Sequence, residues 1–259
     1  MRRRTWFEFH DHRLYPQLLR DLFTEALETL WNRLATYRCV APKLRAHLES
    51  AGAGQIVDLC SGGGGPWATL FRDFDCAIVL TDKYPNNEAF RRLEIASAGR
   101  ITYRPESVDA TQLPNDLRGF RTVVSSFHHF APEAARAILR DAFERREGIA
   151  VLEVAQRDLR TAIATVALPL LALVTAPKIK PFRWARIFWT YCLPLIPLTL
   201  WLDGILSCLR AYTRSELEEL SAPLHAKDYS WECGEYRGGM AGVLYLIGTP
   251  HRELDETVK

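Results

Sequence analysis

The 259-residue chain has no Cys-x-x-Cys pair among its six cysteines (Cys39, Cys60, Cys76, Cys192, Cys208 and Cys233), so neither a structural zinc site nor a redox dithiol is signalled. Their scatter predicts thiols kept in a reducing, cytoplasmic setting. An excess of charge is missing too: 33 Lys and Arg against 31 Asp and Glu leave +2, too little for a surface that tracks nucleic-acid phosphates. No apolar core follows the basic start Met1-Arg2-Arg3-Arg4, because Trp6-Phe7-Glu8-Phe9-His10-Asp11-His12 interrupts it, and this predicts that the chain is not secreted. His10-Asp11-His12 has no identifiable third or fourth ligand nearby, so no metal site is expected. Repeats and low-complexity tracts are also absent. With 48% apolar and 25% charged residues the chain is neither disordered nor a small disulfide-stapled scaffold, and it is long enough for a large core.

What is present changes period along the chain. Residues 14–50 place Leu18, Leu19, Leu22, Phe23, Ala26, Leu27, Leu30 and Leu34 at helical spacing, which predicts two or three helices. From Gln55, apolar runs at Ile56–Cys60, Ala77–Thr81, Ile101–Tyr103, Thr122–Ser126 and Ile149–Val154 alternate with helical stretches at Gly65–Asp73, Asn86–Ala98 and Pro132–Arg146. Such alternation predicts an α/β, doubly wound, mainly parallel sheet. Lys227–Tyr236 and Val243–Gly248, joined through Arg237-Gly238-Gly239, add a closing hairpin and bring the strands to seven. Thr213-Arg214-Ser215-Glu216 reads as a capping box ahead of one more helix.

The sharpest motif is Ile56-Val57-Asp58-Leu59-Cys60-Ser61-Gly62-Gly63-Gly64-Gly65, a buried strand running into four glycines ahead of a helix. Backbone without Cβ lets a ligand approach closely, and the helix start offers unpaired N–H groups. In its acidic residue and alternating glycines (Asp58, Gly62, Gly64) the segment resembles the first motif of the class I S-adenosylmethionine-dependent methyltransferases, with Cys60 standing where that family most often has its first glycine. The resemblance covers roughly residues 50–155. It implies S-adenosylmethionine as cofactor, held by Asp58, Cys60, Ser61, Gly62, Gly63 and Gly64, with Asp82 and Lys83 at the ribose. It also implies Asp109 and Ala110 at the adenine, and Ser126 and Phe127 beside the reacting end. Extra N-terminal helices often form a lid in the family, which would place Trp6, Phe7, Phe9 and Tyr15 over the cofactor. A nicotinamide dinucleotide site fits less well: its third fingerprint glycine would fall on Trp67, too bulky for close helix–strand packing.

After the fourth strand comes Ser125-Ser126-Phe127-His128-His129-Phe130, without the Pro-Pro-aromatic or Pro-Cys motifs of the family's nucleic-acid members. A small-molecule acceptor is expected, with His128 or His129 as candidate base because imidazole titrates near neutrality. Holding nucleophile and methyl in line can also supply much of the acceleration without a base. Glu153 offers a polar contact to substrate, or an ion pair with Arg157 or Arg160.

Residues 159–210 break the rhythm, with two apolar stretches, Ala162–Ala176 and Ile187–Leu202, interrupted by Pro169, Pro194 and Pro197. Each stretch is shorter than the ~20 residues a bilayer span needs, which predicts no simple transmembrane helix. The first expectation is a helical cap after the fifth strand, lining the acceptor site with Leu168, Leu171, Phe182, Trp184, Phe188, Trp189, Tyr191 and Trp201. Two others stay open: a peripheral membrane contact through Lys178, Lys180, Arg183 and Arg186, and a homodimer contact. The expected organisation is thus a helical lid (1–50), a cofactor core (51–158), the cap (159–210), and a closing helix with hairpin (211–259). The expected activity is methyl transfer to a small hydrophobic or aromatic acceptor. A non-catalytic scaffold on the same fold is the alternative, an NAD(P)-dependent oxidoreductase a more distant one.

Overall fold

The computed structural model describes Arg3, residues 14–237 and residues 242–251. Trp6, Phe7, Phe9, His10-Asp11-His12 and the turn glycines Gly238 and Gly239 lie outside the described residues. Seven strands form one sheet: β1 (Gln55–Leu59), β2 (Ala77–Leu80), β3 (Ile101–Tyr103), β4 (Phe120–Val124), β5 (Ile149–Glu153), β6 (Tyr229–Tyr236) and β7 (Val243–Pro250). Their order is β3-β2-β1-β4-β5-β7-β6, parallel from β1 to β5, with β7 antiparallel to both its neighbours. Four strands, β1, β2, β4 and β5, end one or two residues earlier than the apolar runs suggest. Cys60 and Ser125 take φ of 59° and 50°, left-handed values that leave the extended region and turn the chain at the ends of β1 and β4.

The strand order reverses between β1 and β4, the switch point outside whose carboxyl ends ligands bind in open α/β sheets. Both sheet faces are covered, so β4 and β5 are buried at every position rather than alternating. On one face pack α2 (Ala41–Ala51), α3 (Trp67–Leu70) and α4 (Asn87–Ala96), through Leu44, Leu48, Trp67, Phe90 and Leu93. On the other pack α5 (Pro132–Glu144) and α10 (Arg214–Ser221), through Ile138, Leu139, Leu217 and Leu220. The capping box forms at Thr213, which accepts from Glu216 N while its own N–H donates to Glu216 Oε2.

A third cluster lies above the switch point. There α1 (Gln17–Arg33) packs Leu22, Phe23 and Ala26 against Ala172, Ile196 and Leu200. These partners belong to the insertion, which comprises α6 (Leu159–Val166), α7 (Leu168–Thr175), α8 (Trp184–Ile187) and α9 (Leu195–Arg210). Within 1–50, then, α2 joins the sheet while α1 joins the cap. The buried Glu25 carboxylate of α1 fastens this arrangement, pairing with Arg92 of α4 at 2.7 Å, Arg183 at 3.3 Å and Arg186 at 2.6 Å. One expectation for the insertion is corrected. Pro169 does not break the first stretch, because it occupies the first turn of α7, where its missing N–H costs no hydrogen bond. Leu159–Lys178 is consequently a helical run of 20 residues, long and apolar enough to cross a membrane by length and composition, with 28% of its apolar window buried. The second stretch is bent by 72° between Trp184–Cys192 and Leu195–Arg210.

Candidate active site

Between the sheet's carboxyl edge, α1 and the cap lies a cavity of about 820 Å³. Its floor begins at the glycine loop. Asp58 sits opposite Thr122 in the parallel register and is almost wholly buried, accepting from Thr122 Oγ1 at 2.6 Å and from Ser61 Oγ at 2.7 Å. Burial pushes its carboxyl up to about 6 despite those hydrogen bonds. Asp58 is therefore a brace under the loop and does not line the cavity, which corrects its expected role as a cofactor ligand. Gly64, also absent from the lining, serves packing: at φ 115° a Cβ there would lie 2.2 Å from Leu93 Cδ1. Cys60, Ser61, Gly62 and Gly63 do face the cavity.

Cys60 adopts φ 59°, a left-handed value that explains why the resembled family favours glycine there. Such a conformation costs an L-residue about 1–2 kcal/mol, partly offset by the wider unfolded ensemble of glycine. Cys60→Gly is expected to leave the thermal midpoint unchanged or raise it by a few degrees. A clear loss of stability in a thermal melt would contradict this.

The acidic stations lie where the strand order places them, though their carboxylates are more committed than the sequence suggests. Asp82 lines the cavity, with Oδ2 accepting from Gly62 N and Oδ1 from Tyr84 N, both at 2.7 Å. It clamps the glycine loop to the segment after β2. Asp109 accepts at Oδ1 from Thr111 N (2.9 Å) and Thr111 Oγ1 (2.6 Å), and at Oδ2 from Lys83 Nζ (2.9 Å). Burial raises its pKa, but the Thr111 and Lys83 hydrogen bonds outweigh it and hold the carboxyl at about 2. Asp109, Ala110 and Lys83 share the cavity wall.

At the end of β4, Ser126, His128 and His129 face the cavity, whereas Phe127 points into the core below β4 and cannot contact a ligand. The 3-10 turn Phe127–His129 is held from beneath by Glu153. Glu153 Oε1 accepts from Phe127 N at 2.7 Å and from His128 N at 3.2 Å; Oε2 accepts from His128 Nδ1 at 2.8 Å. Neither a substrate contact nor an ion pair with Arg157 or Arg160 is its role, since it lies below the cavity wall and Arg157 pairs with Glu216. A carboxylate on Nδ1 fixes the proton there and leaves Nε2 as the imidazole's acceptor. His129 stacks on His128 at 4.3 Å between ring centroids. Arg3 Nη2 at 2.8 Å and Tyr212 OH at 2.8 Å both donate to Phe130 O, steadying the turn from the outside.

The cap turns a different face inward than expected. Leu168, Leu171 and Leu200 line the cavity, but Trp184 is 78% exposed and Tyr191 46%, with its hydroxyl donating to Leu173 O, so neither is a substrate contact. Sequence reading also missed Glu28. It projects from α1 over the glycine loop, with Oε2 3.2 Å from where a Cβ on Gly63 would stand, so glycine at 63 is what lets α1 come this close. Burial, reinforced by neighbouring Glu25, pushes the Glu28 carboxyl up to about 8. Among the described residues no ion pair or hydrogen bond engages that carboxylate, because the arginines nearby are spent on Glu25. Only the three-dimensional contact distinguishes it from Asp21 and Glu25 on the same helix.

Sheet order, switch-point cavity and glycine loop together define the class I methyltransferase fold. No protein-family profile and no curated protein matches the chain. Among solved structures, magnesium protoporphyrin IX methyltransferase from Synechocystis PCC 6803, with S-adenosylhomocysteine bound, superposes with a TM-score of 0.51 at 14% identity, covering 90% of this chain and 98% of that one. An O-methyltransferase from neocarzinostatin biosynthesis, in complex with S-adenosylmethionine and 2-hydroxy-5-methyl naphthoic acid, aligns with a TM-score of 0.47 at 16% identity over 87% of this chain. The chain spans 58% of that protein's length.

Proposed function

We propose that the protein transfers a methyl group from S-adenosylmethionine to a small, apolar acceptor in the cytoplasm. The observation that carries the reading is the juxtaposition, across one cavity at the switch point, of a Cβ-free loop clamped by Asp82 and a histidine oriented by a buried carboxylate. The residues fit the cofactor: Gly62 and Gly63 leave space for it, Asp82 meets ribose hydroxyls, the wall at Asp109 and Ala110 meets the adenine, and Glu28 meets the α-ammonium of the methionine moiety. When bound, S-adenosylmethionine supplies an electrophilic methyl on a sulfonium. With the cofactor bound, His128 Nε2 would take the proton that the acceptor loses on methylation. Leu168, Leu171 and Leu200 exclude water from that end and favour an apolar acceptor.

Calorimetric titration tests the reading. Saturable binding of S-adenosylmethionine and none of a nicotinamide dinucleotide is expected; the reverse would overturn it. Cofactor binding without turnover on any apolar hydroxyl, amine or thiol acceptor would favour a scaffold.

Glu28→Gln is expected to weaken S-adenosylhomocysteine about 10-fold or more, in the range of a charge-assisted hydrogen bond, and to leave methylthioadenosine, which lacks the ammonium, unaffected. Equal losses for both ligands would remove Glu28 from the ammonium site. The same variant has a pH signature. With its folded pKa raised, Glu28 contributes stability below its ordinary 4.5 that is lost as the pH rises through about 8. Urea denaturation of the ligand-free protein across that window should show a decline in the wild type that is shallower in Glu28→Gln.

A further inference from the structure

The cap's inner face is absorbed by the cavity; its outer face is not. Along Leu159–Lys178, Ala164, Leu168 and Leu171 turn to the cavity, while Leu159, Ile163, Val166, Leu170 and Val174 form a stripe at spacings of three and four that is more than half exposed at every position. An apolar helix wet on one side over its whole length is not a core helix, and contiguous apolar surface of this extent marks an interaction site. The segment that follows alternates. Lys178, Lys180, Phe182 and Trp184 are exposed, and between them Ile179 is buried and Arg183 turns inward to Glu25 and Glu88.

Charge selects the partner. From 159 to 202 the chain has five cations and no carboxylate, although the whole chain is nearly neutral; Arg183 and Arg186 turn inward to Glu25, and Arg160, Lys178 and Lys180 are exposed. A twofold contact would set this cationic face against its own copy. Anionic headgroups over hydrocarbon instead match lysines beside tryptophan and phenylalanine, the side chains that prefer the interfacial layer. Spanning is disfavoured, since the same helical run gives its other face to the cavity and buries Ala172 and Ala176 in the protein.

We propose that the outer face of the cap docks on an anionic lipid surface, with Lys178 and Lys180 among the headgroups and Phe182, Trp184 and the Leu159–Val174 stripe in the interfacial layer. Docking itself is independent of the methyl-transfer reading; delivery of a lipid-dissolved acceptor into the cavity beneath the cap rests on it. Cosedimentation of the full chain with vesicles of phosphatidylcholine, alone or mixed with phosphatidylglycerol, provides the test. Partition into the mixed vesicles is expected, falling with added salt. Lys178→Ala with Lys180→Ala should lower it about 25-fold, roughly fivefold per lysine. Phe182→Ala with Trp184→Ala should lower it about tenfold through lost apolar contact.

Wild-type protein that stays in the supernatant with both vesicle types overturns the proposal, as does a lysine variant that partitions like wild type. Sedimentation velocity covers the rival occupant: a dimer that dissociates in the Phe182/Trp184 variant would assign the face to a second copy and overturn the lipid assignment. Unchanged S-adenosylhomocysteine affinity in both variants shows that the fold is intact. Failure of the wild type to bind that nucleoside would sink the methyl-transfer reading while leaving the vesicle results interpretable.

Discussion

His128→Gln should slow methyl transfer by about 10²–10⁴-fold at neutral pH, the range that positioned proton transfer contributes, while S-adenosylhomocysteine affinity changes little. The expectation singles out one of two adjacent histidines. His128 has the buried Glu153 carboxylate on Nδ1, and that bond, 2.8 Å long, presents Nε2 in one tautomer and one orientation. Glu153 is a positioning residue, so its replacement should have a distinct signature. Glu153→Gln keeps one amide oxygen that can still accept from the Phe127 and His128 N–H groups but sets an NH2 against His128 Nδ1, and without the carboxylate the apparent pKa of the base should fall. The rate–pH profile is therefore expected to shift to lower pH along with a lower plateau. A plateau loss with an unmoved profile would mean that Glu153 only holds the turn. Full turnover in His128→Gln would mean that in-line positioning alone drives the reaction.

Asp82→Ala is expected to weaken S-adenosylmethionine binding by one to two orders of magnitude, corresponding to about 1.5–3 kcal/mol for hydrogen bonds to a charged group. Two losses combine: the ribose acceptor disappears, and Gly62 N and Tyr84 N are released from the clamp that shapes the loop. Asp82→Asn separates them. Its amide oxygen retains one backbone bond, so an intermediate affinity by calorimetry is expected. Affinity equal to wild type in Asp82→Ala would withdraw the residue from the site. In contrast, Asp58 acts on the same loop from beneath, and its substitution should register chiefly as lost stability.

How much of this was legible in the residues varies with the physics of each part. The parallel strands were, because both of their faces are covered and the runs at β1, β4 and β5 are short and mostly apolar. Glycines followed by a helix located the cavity floor. Strand ends were not legible to the residue: Cys60 and Ser125 are compatible with an extended strand until the turn forces them to positive φ. Nor was the sense of the cap, since helices apolar all round carry no moment to show which face turns inward, and Trp184 and Tyr191 were accordingly placed inside. Proline misled in a similar way, because a proline in a first turn and one that breaks a helix look alike in sequence. Glu28 and Glu153 were recoverable only from neighbours brought close by the fold, more than 30 residues away for Glu28 and 25 for the Glu153–His128 bond.

Glu25 joins three bodies, binding the N-terminal helix to α4 and, through Arg183 and Arg186, to the cap. One turn further along the same helix stands Glu28, above the glycine loop. A rigid helix riveted to the cap at one turn and poised over the cofactor loop at the next makes the roof of the cavity a lever. Its two ends obey reciprocity: whatever factor an occupied cofactor site adds to the cap's affinity for a surface, that surface must add to the affinity for cofactor.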